Sequence, residues 1–216
     1  MARIAVLGGN GYAGAAVVAE ARRRGHDVTA VSRTAPTSPV DGVTYVEGSV
    51  LDSDVLDRVV AEADVVVSAL APRGDMTGKV EGVVEDLIAR LAGTPTRFGY
   101  IGGASSLLAE EGGPRMWDIT KEHIPDEVKP EVQTGLDTLE LLQDSPESLD
   151  WFYVSPPQDF GSWLGTVSKG EYVLGGDVLL RAADGTSTIS ADDLALAIVD
   201  EVETPAHHRA RFTAIS

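Results

Sequence analysis

Cysteine is absent from the 216 residues, and disulfides, thiolate nucleophiles and cysteine-ligated metals are excluded with it. Long apolar runs are also missing. No segment approaches the roughly 18 uninterrupted apolar residues of a membrane-crossing helix. Positive charge is scarce: 17 Lys and Arg stand against 34 Asp and Glu, a formal net charge of -17. Such a chain repels a nucleic-acid backbone or an anionic membrane, because binding either needs clustered Lys and Arg. The expected partner is a small molecule, with neither nucleic acid nor membrane. The four histidines, His26, His123, His207 and His208, show no ligand spacing, since adjacent residues do not easily share a metal and none forms an i, i+4 pair, so no metal site is expected. Ser68, Ser155 and Ser190 lack a nucleophile-elbow setting, which sets hydrolases aside. Met1-Ala2-Arg3 runs straight into an apolar strand without the regions of a secretory signal, so the expected location is the cytoplasm.

The composition that remains, 43% hydrophobic and 24% charged, is that of an ordinary globular protein, and the length suits a single domain over 1–216. Short apolar runs alternate with segments of helical spacing. Strands are expected at Ala2 to Leu7, Asp27 to Ser32, Val43 to Glu47, Asp64 to Leu70, Arg97 to Ile101, Asp150 to Ser155 and Arg211 to Ile215. Helices are expected at Gly11 to Arg24, Asp52 to Glu62, about Gly78 to Leu91, about Pro130 to Gln143 and Ala191 to Val202. Strands apolar on both sides, alternating with helices, predict an α/β, Rossmann-type doubly wound parallel sheet. Residues 156–190, punctuated by Gly161, Gly165, Gly170, Gly175 and Gly176, read as a small irregular lobe capping the carboxyl edge on the substrate side. Arg33 to Gly42 and Glu110 to Pro130 read as long loops, a length often linked to function or mobility.

Gly8-Gly9-Asn10-Gly11-Tyr12-Ala13-Gly14 lies between the first strand and the first helix, where a dinucleotide phosphate site belongs. Gly8 allows a tight turn, Gly11 lets the backbone approach a pyrophosphate, and Gly14 lets helix and strand pack closely. The amides of the first helical turn then face the anion. Gly8, Asn10, Gly11, Tyr12 and Gly14 are the expected cradle. An NAD site usually places a carboxylate at the end of the second strand; here the strand ends in Ser32-Arg33-Thr34. Ser32 and Arg33 therefore point to a 2′-phosphate and to NADP(H), with NAD(H) as the alternative if Arg33 is only a solvated loop residue.

On these residues, together with Ala63 to Leu70, Tyr100 to Leu107, Leu149 to Trp151 with Ser155 to Pro157, and Ser187 to Glu203 with Arg211 to Thr213, the chain resembles a known group. It is similar over nearly its whole length to the atypical short-chain dehydrogenases of the NmrA-like NAD(P)H-binding family, in particular the NADH-flavin-reductase-like members. The resemblance implies adenine near Ser49 and Val50, and nicotinamide near Ala69, Leu70, Ala71 and Pro72 and near Gly102, Gly103 and Ser105. Gly48-Ser49-Val50 stands where relatives commonly have Gly-Asp-Val, and Asp52 reads as a helix N-cap.

Short-chain dehydrogenases that reduce carbonyls use a Tyr-x-x-x-Lys pair for proton donation. None of Tyr12, Tyr45, Tyr100, Tyr153 and Tyr172 has Lys four residues on. The flavin-reductase-like relatives share that gap. By this resemblance, hydride passes from NADPH directly to a planar acceptor such as a flavin or quinone, with flavin as substrate. Ser105 is the one catalytic candidate, as a hydrogen-bond donor to the acceptor ring, against its reading as a turn serine. Trp117 and Trp163 are candidates for a flat aromatic wall and equally for lobe packing, and Trp151 for the core. The competing class is a non-catalytic NADP(H)-sensing regulatory protein of NmrA type; an epimerase or dehydratase would need the missing tyrosine. Both monomer and homodimer fit.

Overall fold

The computed structural model describes residues 1–216. In β1 (Arg3–Leu7), Ile4 and Val6 face one apolar layer while Ala5 and Leu7 face another. The same alternation recurs in β4 (Val65–Ser68), where Val65 and Val67 oppose Val66. Strands buried on both sides must be covered on both sides. Helices α1 (Tyr12–Arg23) and α6 (Ala191–Glu203) cover one face, contributing Val17, Ala21, Leu194 and Ile198. The other face is covered by α2 (Ser53–Ala61), α3 (Val80–Leu91) and α5 (Lys129–Gln143), through Leu56, Val83, Leu87, Leu139 and Leu142.

The remaining strands are β2 (Asp27–Ser32), β3 (Thr44–Glu47), β5 (Arg97–Ile101), β6 (Trp151–Ser155), β7 (Val173–Gly175) and β8 (Ala210–Ile215). They form one eight-stranded sheet in the order β3-β2-β1-β4-β5-β6-β8-β7. The order reverses between β1 and β4, and a crevice opens at the carboxyl ends of strands at such a switch point.

The sheet is parallel except at one edge, where β7 runs antiparallel to β8. β7 belongs to the stretch read as irregular; three residues are too few to show alternation in sequence, and its pairing comes from β8. The segment expected to be a loop up to Pro130 contains the five-residue α4 (Met116–Thr120), which has no side-chain cap. Met116 is buried against Leu107 and Leu179 in a small third cluster. Asp52 does cap α2, accepting from the Asp54 amide at 3.0 Å. Ser190 caps α6, accepting from the Asp193 amide at 3.0 Å. Asp193, in the first turn of α6, is buried and receives hydrogen bonds from Ser168 Oγ at 2.6 Å and the Lys169 and Gly170 amides at 3.0 Å, tying residues 168–170 to α6.

Arg97, at the start of β5, is buried and donates to Asp150 Oδ2 at 2.8 Å and Glu201 Oε1 at 2.9 Å, joining β5 to α6. His207 Nδ1 lies 2.7 Å from Glu201 Oε2, and the amides of Ala206 and His207 donate to the same carboxylate. Burial alone would raise the Glu201 pKa; the donors, His207 and Arg97 foremost, outweigh it and hold the carboxyl below the usual glutamate range. The stabilisation is therefore complete above the unfolded glutamate value of about 4.3 and is lost as pH falls through the lowered folded value. Glu201→Gln leaves Arg97 with one of its two carboxylate partners and should cost about 3 kcal/mol at neutral pH. In urea melts from pH 7 down to pH 3, the gap between variant and parent should narrow towards the acid end. A gap independent of pH would show that the carboxylate charge is not what holds α6 to the sheet.

Candidate cofactor and acceptor site

The first strand ends in a turn that only glycine permits. Gly8 has φ +82°, and a Cβ there would stand 2.7 Å from the Ala69 carbonyl oxygen. Its amide is held by the Val31 carbonyl at 2.9 Å. At Gly14 a Cβ would fall 2.3 Å from the Gly8 carbonyl oxygen, so helix α1 meets the turn backbone to backbone. Gly9 completes the packing, with Ala30 Cβ 2.7 Å from where its own Cβ would be. Gly11 is different: its nearest neighbour, the Gly8 oxygen at 3.2 Å, leaves a side chain almost room enough. Internal packing therefore does not demand Gly11, whereas a ligand approaching the backbone would.

Gly11 is the N-cap of α1, without a side-chain cap, and the first helical bond is donated by Ala15 to the Gly11 carbonyl at 2.8 Å. The amides of Tyr12, Ala13 and Gly14 precede that bond and are the orphan donors of the helix N-terminus. The Asn10 amide nitrogen donates to the Thr34 carbonyl at 2.6 Å, and its Oδ1 is buried without a partner. The glycine cradle, the orphan amides and this unpartnered oxygen fit a dinucleotide; the first turn of α1 would hold the pyrophosphate against its dipole.

At the end of β2, Ser32 Oγ donates to the Thr34 carbonyl at 2.9 Å. Arg33 is exposed and pairs with Asp75 at 2.9 Å, in the 3₁₀ turn Gly74–Met76 that follows β4. Ser49 and Val50 follow β3; Ser49 Oγ accepts from the Leu51 amide at 3.2 Å, and Val50 is buried.

A cavity of about 350 Å³ lies across the ends of β1, β4, β5 and β6. It gathers Gly11, Tyr12, Ala69, Leu70, Ala71, Gly102, Gly103 and Ser105 of the expected site, while Gly8, Asn10, Gly14, Ser32, Arg33, Ser49 and Val50 lie outside its lining. Ser105 is half-buried on its wall, and its hydroxyl makes no bond to the protein, unlike Ser106, whose hydroxyl contacts the Gly103 carbonyl at 3.0 Å and Ser155 Oγ at 3.1 Å.

Of the two tryptophans expected to form an aromatic wall, Trp163 is on the cavity and 69% exposed. Trp117 is not: it sits on α4, half-buried and away from the cavity wall, because Met116 turns that helix onto the third cluster. Its place is taken by Phe160, which packs on Tyr12 with ring centroids 5.2 Å apart. Trp151 is core, as expected. The wall carries two charged residues, Arg73 and Glu131, and they neutralise each other in a two-pronged pair, Arg73 Nη2 donating to Glu131 Oε1 at 2.7 Å. Phe160, Arg73 and Glu131 were not visible as site residues in the sequence. The partners in the ion pair are 58 residues apart, and no local motif marks them.

Gly14→Ala places a methyl group against the Gly8 carbonyl, so the turn must shift. The expected cost is about 2 kcal/mol of stability, with NADPH affinity reduced more than tenfold in a fluorescence titration. Affinity unchanged within twofold would show that the turn does not hold the cofactor.

Residues 8–205 match the family described as NAD(P)H-binding. The YwnB protein of Bacillus subtilis is 33% identical over 99% of this chain and 98% of its own. A Streptococcus pneumoniae structure titled a "putative NADH-flavin reductase" superposes with TM-score 0.89 at 32% identity, covering all of both chains. A "putative epimerase" from Bacteroides thetaiotaomicron gives TM-score 0.82 at 34% identity over 99% of this chain and 96% of its own. The chain belongs to the NAD(P)H-binding family and has its oxidoreductase-type Rossmann fold.

Proposed function

We propose that the protein is an NADPH-dependent reductase of a planar acceptor, a quinone or flavin ring. The observation that carries this reading is the cavity itself, which has flat aromatic sides, no unpaired charge, and a position beside the glycine turn. The dinucleotide, when bound, supplies the hydride, and the acceptor takes its proton from water. The chain supplies placement. Tyr12, Phe160 and Trp163 offer faces on which a ring can stack, worth about 1 kcal/mol per aromatic contact beyond the area buried. Ser105 offers a free hydroxyl to a polar atom at the ring edge. Arg73 and Glu131, bound to each other, leave no net charge to attract a carboxylate, which favours an uncharged ring. Holding two rings in register supplies most of the acceleration such a transfer requires.

The test follows NADPH oxidation with menadione, riboflavin and FMN. Turnover above the enzyme-free rate is expected, with the uncharged rings preferred to FMN. Tight NADPH binding without turnover of any acceptor would replace this reading with that of an NADP(H) sensor.

We assign the preference for NADPH to Arg33. Its guanidinium stands at the end of β2, where a 2′-phosphate would lie, and Asp75 competes for it. Arg33→Ala should weaken NADPH about tenfold, the value of one exposed charge-assisted contact, and leave NADH unchanged. Asp75→Asn should tighten NADPH a few-fold by freeing Arg33. Equal effects on both dinucleotides in a parallel titration would remove Arg33 from the discrimination.

A further inference from the structure

Beneath the cavity floor the sheet carries a polar row. Ser68 of β4 is in register with Tyr100 of β5, and Tyr100 with Tyr153 of β6. All three are buried, on a sheet face that is otherwise apolar. The two rings stack with centroids 5.3 Å apart, which fixes their positions. Tyr153 is satisfied, since its hydroxyl donates to the Gly135 carbonyl at 2.8 Å. Tyr100 holds no backbone carbonyl. It is 2% exposed and lines the cavity. Its hydroxyl lies beside that of Thr138, which donates to the Thr134 carbonyl at 2.8 Å and keeps lone pairs that can accept from Tyr100.

A hydroxyl on a cavity wall that is not tied to a backbone carbonyl can turn its proton to a ligand that enters. Burial, then the neighbouring Tyr153, outweigh the lowering effect of the Thr138 hydroxyl and, with the carboxylates of Glu81 and Glu131, push the Tyr100 pKa up, so the group keeps its proton and acts as a donor.

We propose that Tyr100 is a catalytic residue that donates a hydrogen bond to a carbonyl oxygen or ring nitrogen of the acceptor in this cavity. This rests on reading the cavity as the acceptor site. It also narrows the substrate class: the acceptor carries a hydrogen-bond-accepting atom on its ring, as quinones and isoalloxazines do, and a plain aromatic hydrocarbon does not qualify. As the ring takes up electrons its oxygen or nitrogen becomes more negative, and a donor fixed in a water-poor floor stabilises that charge more than solvent would. Ser105, half-exposed at the rim, can serve a second atom of the same ring, whereas Tyr100 alone works from the buried side.

The test compares menadione with 2-methylnaphthalene, rings of similar shape that differ in their carbonyls. Binding is followed by quenching of tryptophan fluorescence, in the wild-type protein and in Tyr100→Phe and Tyr153→Phe. Wild type should bind menadione more tightly than the hydrocarbon. Tyr100→Phe should lose about tenfold in menadione affinity, and at least as much in kcat with NADPH, while binding the hydrocarbon and NADPH normally. Its Tm should change little, because the hydroxyl holds no backbone carbonyl; a purely structural tyrosine would lower it. Tyr153→Phe should show the converse, with lower Tm and unchanged selectivity. Equal affinity of wild type for the two rings, or undiminished menadione binding by Tyr100→Phe, overturns the assignment. If wild type binds neither ring, the acceptor reading falls, and this assignment falls with it.

Discussion

Helix α1 can lay its first turn against the end of β1 only because nothing stands between them. The contact is Gly14 on the Gly8 carbonyl, where a single methyl group would intrude to 2.3 Å. That backbone-to-backbone approach sets the position of α1, and hence of the layer it shares with α6 over β1, β4 and β6. It also leaves the Tyr12, Ala13 and Gly14 amides uncapped at the carboxyl edge of the sheet. The packing constraint and the anion site are thus one feature, and a residue that relieved the crowding would also move the donors.

Charge is distributed to suit this arrangement. The protein carries -17 overall and yet has the donors of an anion site. At the amino-terminal ends of the strands, arginines are absorbed into networks: Arg97 with Asp150 and Glu201, and Arg24 with Glu20, Asp200 and Glu203. These networks tie α6 to β5 and to α1. At the carboxyl ends, Arg33 is held by one exposed acid, and the acceptor cavity is left with a self-neutralised pair. Attraction for a dinucleotide there comes from local amides and dipoles, which act over the first helical turn and are little affected by the distant surface charge.

The cavity floor and walls follow a different logic. Its walls come from aromatic residues of α1 and of the segment after β6, and its floor from β5, a strand otherwise devoted to the core. The lobe over it is anchored at Asp193, whose buried carboxylate gathers Ser168, Lys169 and Gly170. Hydrogen bonds from these groups outweigh the desolvation that would otherwise raise its pKa, and the carboxyl is held below the usual aspartate range. The lobe is thereby joined to the same helix that covers the back of the sheet, so the acceptor side and the core share one support.

The amino-acid sequence by itself determined the elements whose signal is local. The two-sided apolar strands, the glycine spacing from Gly8 to Gly14, the Asp52 cap and the core position of Trp151 are each legible because the residue and its consequence lie within a few positions of each other. Tertiary structure alone decided the rest. β7 is too short to show a period and exists through β8. Arg73 finds Glu131, and Tyr12 finds Phe160, only across the assembled sheet edge. Trp117 is drawn off the cavity by the neighbouring Met116. Nothing along the chain marks Tyr100 as a site residue, and its polar end becomes significant only where β5, α5 and the cavity meet. The physical reason is the same in each case: propensity and periodicity are encoded along the chain, while hydrogen-bond satisfaction and charge pairing depend on which distant residues the fold brings within reach.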